Sequence, residues 1–153
     1  MRRFEISLKF DLLNEAPAVA LNSPALINEY LAPFYLLNPV QEMVFVVPLN
    51  RKNFPLGAHR VALGSLTGAV CHPRECLRIV LMSPAASWVL GHSHPSGVCD
   101  PSSCDIQLTR VMREASKAVD VLLLDHVISS ASGDTSLDPR GRGFYSFREA
   151  GLL

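Results

Sequence analysis

The first apolar positions alternate along the chain: Phe4, Ile6, Leu8 and Phe10 are interleaved with Glu5, Ser7 and Lys9. A period of two belongs to a strand with one buried face, so a strand is predicted over residues 3–10. The period then changes. Ser23-Pro24 supplies an N-cap and a first-turn proline, and the apolar residues that follow through Leu37 recur at helical spacing. Met43 to Val47 is a short β-branched run closed by Pro48 and the turn-prone Asn50-Arg51-Lys52-Asn53. It predicts a buried strand leading into a hairpin.

Val61 to Val70, divided by Gly64 and Gly68, reads as a bent or bulged second strand. Pro73 opens a helix that continues through Met82, and Ala85 to Gly91 is the next strand. His92 to Pro101 holds two prolines, a glycine and an Asp-Pro step, the composition of a loop. Ser102 starts a helix running to about Ala118, and Val121 to Ser129 is the most apolar strand of the chain. Residues 129–143, SSASGDTSLDPRGRG, predict a mobile loop insertion, and Phe144 to Phe147 a last strand. Helices alternate with strands and no repeat or linker intervenes, which predicts one α/β (mixed α+β) unit over residues 1–153. A chain of 153 residues is long enough for one core and too short for two ordinary ones.

Charge narrows the function. Fourteen lysines and arginines balance fourteen aspartates and glutamates, and no basic run offers a stripe for phosphates, so direct nucleic-acid binding is not expected. Glu5, Lys9 and Asp11 break any apolar signal core at the start, and no apolar run approaches the roughly 18 residues of a membrane span. The expected location is the cytoplasm, without membrane contact and with reduced thiols. Cys71, Cys76, Cys99 and Cys104 form two C-x4-C pairs. That spacing is not the C-x2-C of a zinc knuckle, and the four read as small buried or half-exposed thiols.

The chemistry concentrates in Gly91 to Asp105, GHSHPSGVCDPSSCD. His92 and His94 are one residue apart at a strand exit. On an extended backbone such residues point to the same side, so both imidazoles can meet one metal ion; on a helix they would diverge by about 200 degrees. Ser102 and Asp105 make an S-x-x-D, which taken alone is a helix-capping box. Following a loop that begins with two histidines, the same carboxylate also completes a three-ligand metal site with a vacant position for water. Asp125-His126 lies in an apolar strand, and a hydrogen-bonded structural role is expected for that histidine. Trp88, between Ser87 and Val89, is expected in the core.

The combined pattern H-x-H-x7-S-x2-D, with Pro95-Ser96-Gly97 after the second histidine, is far more specific than its parts. It resembles the JAMM (JAB, MPN+) metalloprotease motif. With Cys71-His72-Pro73-Arg74-Glu75, Leu124-Asp125-His126 and the closing Tyr145-Ser146-Phe147, nearly the whole chain is similar to the RadC family of bacterial JAMM-domain proteins, in a short single-domain form. The resemblance implies a cytidine-deaminase-like mixed sheet flanked by helices, with residues 1–38 as an N-terminal strand and helix and 42–128 as the metal-site core. It implies His92, His94 and Asp105 as ligands of Zn2+, Ser102 as the oxyanion-stabilising serine and Glu42 as the general base. Independently of any family, a carboxylate leading into an apolar strand can reach a site where attacking water must lose a proton.

The implied function is zinc-dependent hydrolysis of a peptide or isopeptide bond in a protein or peptide substrate. The alternative that the family name suggests is a DNA-repair or replication-associated protein that binds DNA or a partner without hydrolysis. Ser93 stands where relatives usually carry asparagine, and the helix-hairpin-helix region that precedes such domains in longer relatives has no expected counterpart here. Nothing in the sequence requires or excludes an oligomer.

Overall fold

The computed structural model describes residues 19–64 and 71–153. The predicted strand over residues 3–10 and the second half of the Val61–Val70 segment lie outside the described residues. Within them the order is α1 (Pro24–Tyr35), β1 (Met43–Leu49), β2 (His59–Leu63), α2 (Pro73–Met82), β3 (Ser87–His94), α3 (Ser103–Ala118), β4 (Leu122–Ser130) and β5 (Phe144–Ser146).

The five strands form one mixed sheet in the order β2-β1-β3-β4-β5. β1 pairs antiparallel with β2 and with β3, β3 runs parallel to β4, and β4 pairs antiparallel with β5. A parallel pair needs a crossover, and α3 supplies it between β3 and β4. Every residue of β1 is buried, and its alternation divides them between two faces. Met43, Phe45, Val47 and Leu49 pack with Ile27, Leu31 and Tyr35 of α1. Val44 and Val46 pack on the other side with Cys76, Leu77 and Val80 of α2, Met112 of α3 and Trp88. The sheet is thus the middle of three layers, as the alternating elements predict. Trp88 is fully buried, its indole N–H donating to Ser116 Oγ at 3.0 Å.

Ser23 caps α1 through Leu26 N, with Pro24 in the first turn. Where α1 crosses β3 there is room only for glycine: a Cβ on Gly91 would overlap Leu31 and stand 2.6 Å from the Tyr35 hydroxyl. The predicted boundary at Gly91 needs correction. β3 runs on through His94, because His92, Ser93 and His94 continue the parallel ladder opposite Ile128, Ser129 and Ser130. Composition marked those residues as loop; tertiary pairing with β4 makes them strand, and the loop starts at Pro95.

Residues 131–143 carry several ties. Asp138 is 4% exposed, and its Oδ2 accepts from the backbone N–H groups of Arg142 and Gly143, each at 2.9 Å. Arg140 pairs with Asp100 at 2.7 Å and lies over the Tyr145 ring. Among the described residues, no helix is long and apolar enough to cross a membrane.

Candidate metal centre

His92 and His94 project from the end of β3 on the face that Trp88 and Leu90 share, toward α3. Their rings meet edge to face with centroids 4.8 Å apart, as extended backbone requires of i and i+2. β1 delivers the first carboxylate. Val44 pairs with His92, so Glu42, two residues earlier, reaches the same end of the sheet, and Glu42 Oε2 lies 3.7 Å from His92 Nε2. The ligand atoms of Glu42, His92 and His94 all fall within 4.8 Å of one another, and this group could hold a metal ion.

The N-terminus of α3 delivers the second carboxylate. Asp105 Oδ1 stands 3.1 Å from His92 Nδ1, and its Oδ2 stands 3.7 Å from His94 Nε2. The capping box is formed as well: Ser102 Oγ accepts from Asp105 N, while Asp105 Oδ2 accepts from Ser102 N at 2.7 Å and from Ser102 Oγ at 2.6 Å. The two readings of S-x-x-D are therefore compatible. The cap fixes one carboxylate oxygen and leaves the other against the histidine, the way an outer hydrogen bond orients a ligating group.

His94 is oriented by its own loop. Its Nδ1 lies 2.8 Å from the Val98 carbonyl oxygen, so the ring donates there and keeps the lone pair of Nε2 for the site. Gly97, at φ 78° and with its N–H on the His94 carbonyl, makes the turn that brings Val98 back.

The donor set fits a divalent cation. Two imidazoles and two carboxylates at one sheet end are the ligand types of zinc sites with an open position. More telling, each buried ring nitrogen of His92 faces a carboxylate oxygen, Nδ1 that of Asp105 at 3.1 Å and Nε2 that of Glu42 at 3.7 Å. Imidazole nitrogens and carboxylate oxygens gathered this closely in a largely buried site are an arrangement that a shared cation resolves. Burial disfavours the charged form of His92, but the Asp105 and Glu42 carboxylates outweigh it and push its pKa up to about 9. Burial likewise opposes the Asp105 carboxylate, yet His92, His94 and Ser102 hold its pKa far below the ordinary range.

Behind His92 lies a stack that the sequence did not reveal. The fully buried His126 ring is nearly parallel to His92, with centroids 6.1 Å apart, and to Phe147 at 4.6 Å. Its Nδ1 meets Thr109 Oγ1 at 2.7 Å, and that hydroxyl donates to the Asp105 carbonyl at 2.7 Å. Thr109 sits one helical turn after Asp105, a spacing that would have flagged it only once Asp105 was known to matter. Ser93 was also missed: its Oγ accepts from Met43 N at 2.9 Å. Asp125 is buried too, accepting from Ser146 Oγ at 2.7 Å and from Arg148 N at 3.0 Å.

Beside Asp105 opens a cavity of about 570 Å³, lined among others by Cys71, His72, Pro73, Cys104 and Leu108. On the other side, Leu137 of the 131–143 loop packs against the Gly97 turn.

A mixed sheet flanked by helices, with a His-x-His pair and carboxylates converging at one end, defines a JAB/MPN-type domain. The chain belongs to the RadC-like JAB domain family, whose model matches residues 21–152. It is similar to proteins named UPF0758: 36% identical over 127 residues to that of Pelodictyon phaeoclathratiforme, covering 83% of this chain and 52% of that one. The Chlorobium luteolum protein is 40% identical over 113 residues, 74% of this chain and 46% of its own. The Thiobacillus denitrificans protein is 37% identical over 134 residues, 88% and 55% respectively. The chain spans about half the length of the curated relatives it matches.

Proposed function

We propose that this chain is a zinc-dependent hydrolase that cleaves an amide bond, peptide or isopeptide, in a protein or peptide substrate. The observation that carries the reading is the convergence on one point of Glu42, His92 and His94, whose ligand atoms all lie within 4.8 Å of one another, with Asp105 Oδ1 3.1 Å from His92 Nδ1. His92, His94 and Asp105 are the ligands in this reading. When bound, the cation would supply the positive charge that acidifies water and polarises a carbonyl. Glu42 accepts the proton of the attacking water and returns it to the leaving nitrogen. Ser102 turns its hydroxyl from Asp105 Oδ2 to the substrate oxygen as negative charge develops there.

Metal analysis with a hydrolysis assay on peptide and isopeptide libraries tests this. The wild type should hold about one zinc per chain. Glu42→Gln should keep the metal and lose hydrolysis, whereas Asp105→Asn should lose both. A wild type that stays metal-free at saturating zinc overturns the proposal. If Glu42→Gln loses metal while Asp105→Asn retains it, the ligand and base assignments are reversed.

A further inference from the structure

We propose that Cys71 and Cys76 form a reversible thiol–disulfide pair that reacts with small-molecule disulfides of the glutathione class. The two sulfurs lie 3.1 Å apart, both as free thiols. A disulfide bond is about 2.05 Å long, so closure needs an approach of only about 1 Å.

The pair combines two properties that a reactive dithiol needs. Cys71, just ahead of α2, is half-buried and lines the open cavity beside Asp105, so a small reagent can reach it. Cys76, in α2, is fully buried behind it and within bonding reach. The other C-x4-C is an internal control. Cys99 is buried with its sulfur on the Gly97 carbonyl at 3.7 Å, and Cys104 is exposed on the cavity rim. Equal spacing thus gives a paired set of sulfurs in one case and a separated core and surface thiol in the other.

The sulfur–sulfur hydrogen bond holds the Cys71 thiol below its ordinary pKa and, with burial adding, pushes that of Cys76 up. Since the thiolate is the nucleophile, Cys71 attacks first. Its Sγ bonds to one sulfur of glutathione disulfide as the S–S bond of the reagent breaks, and glutathione leaves as a thiolate that takes up a proton. Cys76 then gives up its proton and attacks Cys71 Sγ, forming the internal disulfide and releasing the second glutathione. Two protein thiols are oxidised, one small disulfide is reduced to two thiols, and two electrons pass between them. The product ties the residue entering α2 to the helix itself, at the wall of the cavity that ends on Asp105.

The test incubates the full chain with glutathione disulfide, alkylates it with N-ethylmaleimide and digests it with trypsin. Arg74 lies between the two cysteines, so cleavage after it yields two peptides that travel as one only when a disulfide joins them. The expected result is that joined species, without maleimide and separable by dithiothreitol, while Cys104 is not joined to either. Cys76→Ser should stop at a glutathione mixed disulfide on Cys71, and Cys71→Ser should slow the loss of Cys76 alkylation at least about tenfold. Circular dichroism verifies that both variants are folded. Full alkylation of Cys71 and Cys76 after exposure to excess reagent overturns the proposal. So does a stable mixed disulfide on wild-type Cys71, or a Cys71–Cys104 bond in place of Cys71–Cys76.

Discussion

Ser93 Oγ accepts the backbone N–H of Met43 at 2.9 Å, across fifty positions of sequence. The paired residues of β1 and β3 end at Val44 and His92, and the serine side chain takes over one step beyond, between the two histidines and next to Glu42. Replacing Ser93 with alanine leaves a buried donor unpaired, at a cost of about 1–3 kcal/mol. Urea denaturation should show that loss. If the bond holds Glu42 in place, hydrolysis should fall further than metal content does.

Gly91 is the second pressure point. Gly91→Ala forces a methyl group into Leu31 and the Tyr35 hydroxyl, and overpacking of this kind costs about 1–3 kcal/mol. Tyr35→Phe removes a buried hydroxyl that has no hydrogen-bond partner among the described residues, so alone it should be neutral or stabilising. The double variant should recover part of the Gly91→Ala loss, and a double-mutant cycle of unfolding free energies reads that coupling directly.

Acid stability of the metal-free protein should report on His126. Burial, aided by the charge of His92, draws its pKa from 6.5 down to about 3. As pH falls below 6.5 the unfolded chain takes up a proton that the folded chain refuses, and stability drops by about 1.4 kcal/mol per pH unit. His92 has the opposite sign: with its folded value raised to about 9, its contribution is constant below 6.5 and is lost as pH rises between the two. Asp105, held low, contributes a loss only below its ordinary 3.8. Asp125, whose carboxyl pKa burial pushes up, opposes that slope just above 3.8. The loss that sets in as pH falls below 6.5 belongs to His126, and His126→Phe should flatten it in urea titrations.

Chelation should leave the fold standing. The two large core clusters cover both faces of the sheet without using Glu42, His92, His94 or Asp105. Far-UV circular dichroism should be unchanged by a chelator, while zinc at about 100 times its dissociation constant should add about 2.7 kcal/mol of stability. Loss of the spectrum on chelation would instead mark the metal as structural.

The elements that depend on neighbours within a turn or two were legible in the sequence. Ser23-Pro24 starts α1, the capping box of Ser102 and Asp105 starts α3, and the apolar run from Met43 makes β1. The i and i+2 spacing alone puts His92 and His94 on one side of an extended backbone. What local pattern could not decide was pairing over distance. The ladder between β3 and β4 turned His92, Ser93 and His94 from loop into strand, and the pairing of Val44 with His92 brings Glu42, which the family resemblance named, to the histidines. The cysteines state the difference most plainly. Two pairs with the same C-x4-C spacing end as touching sulfurs at Cys71 and Cys76 and as a core thiol and a surface thiol at Cys99 and Cys104. Capping and periodicity arise within a few residues of backbone, whereas side-chain neighbours are set by which strands and helices pack together, and only the tertiary structure holds that information.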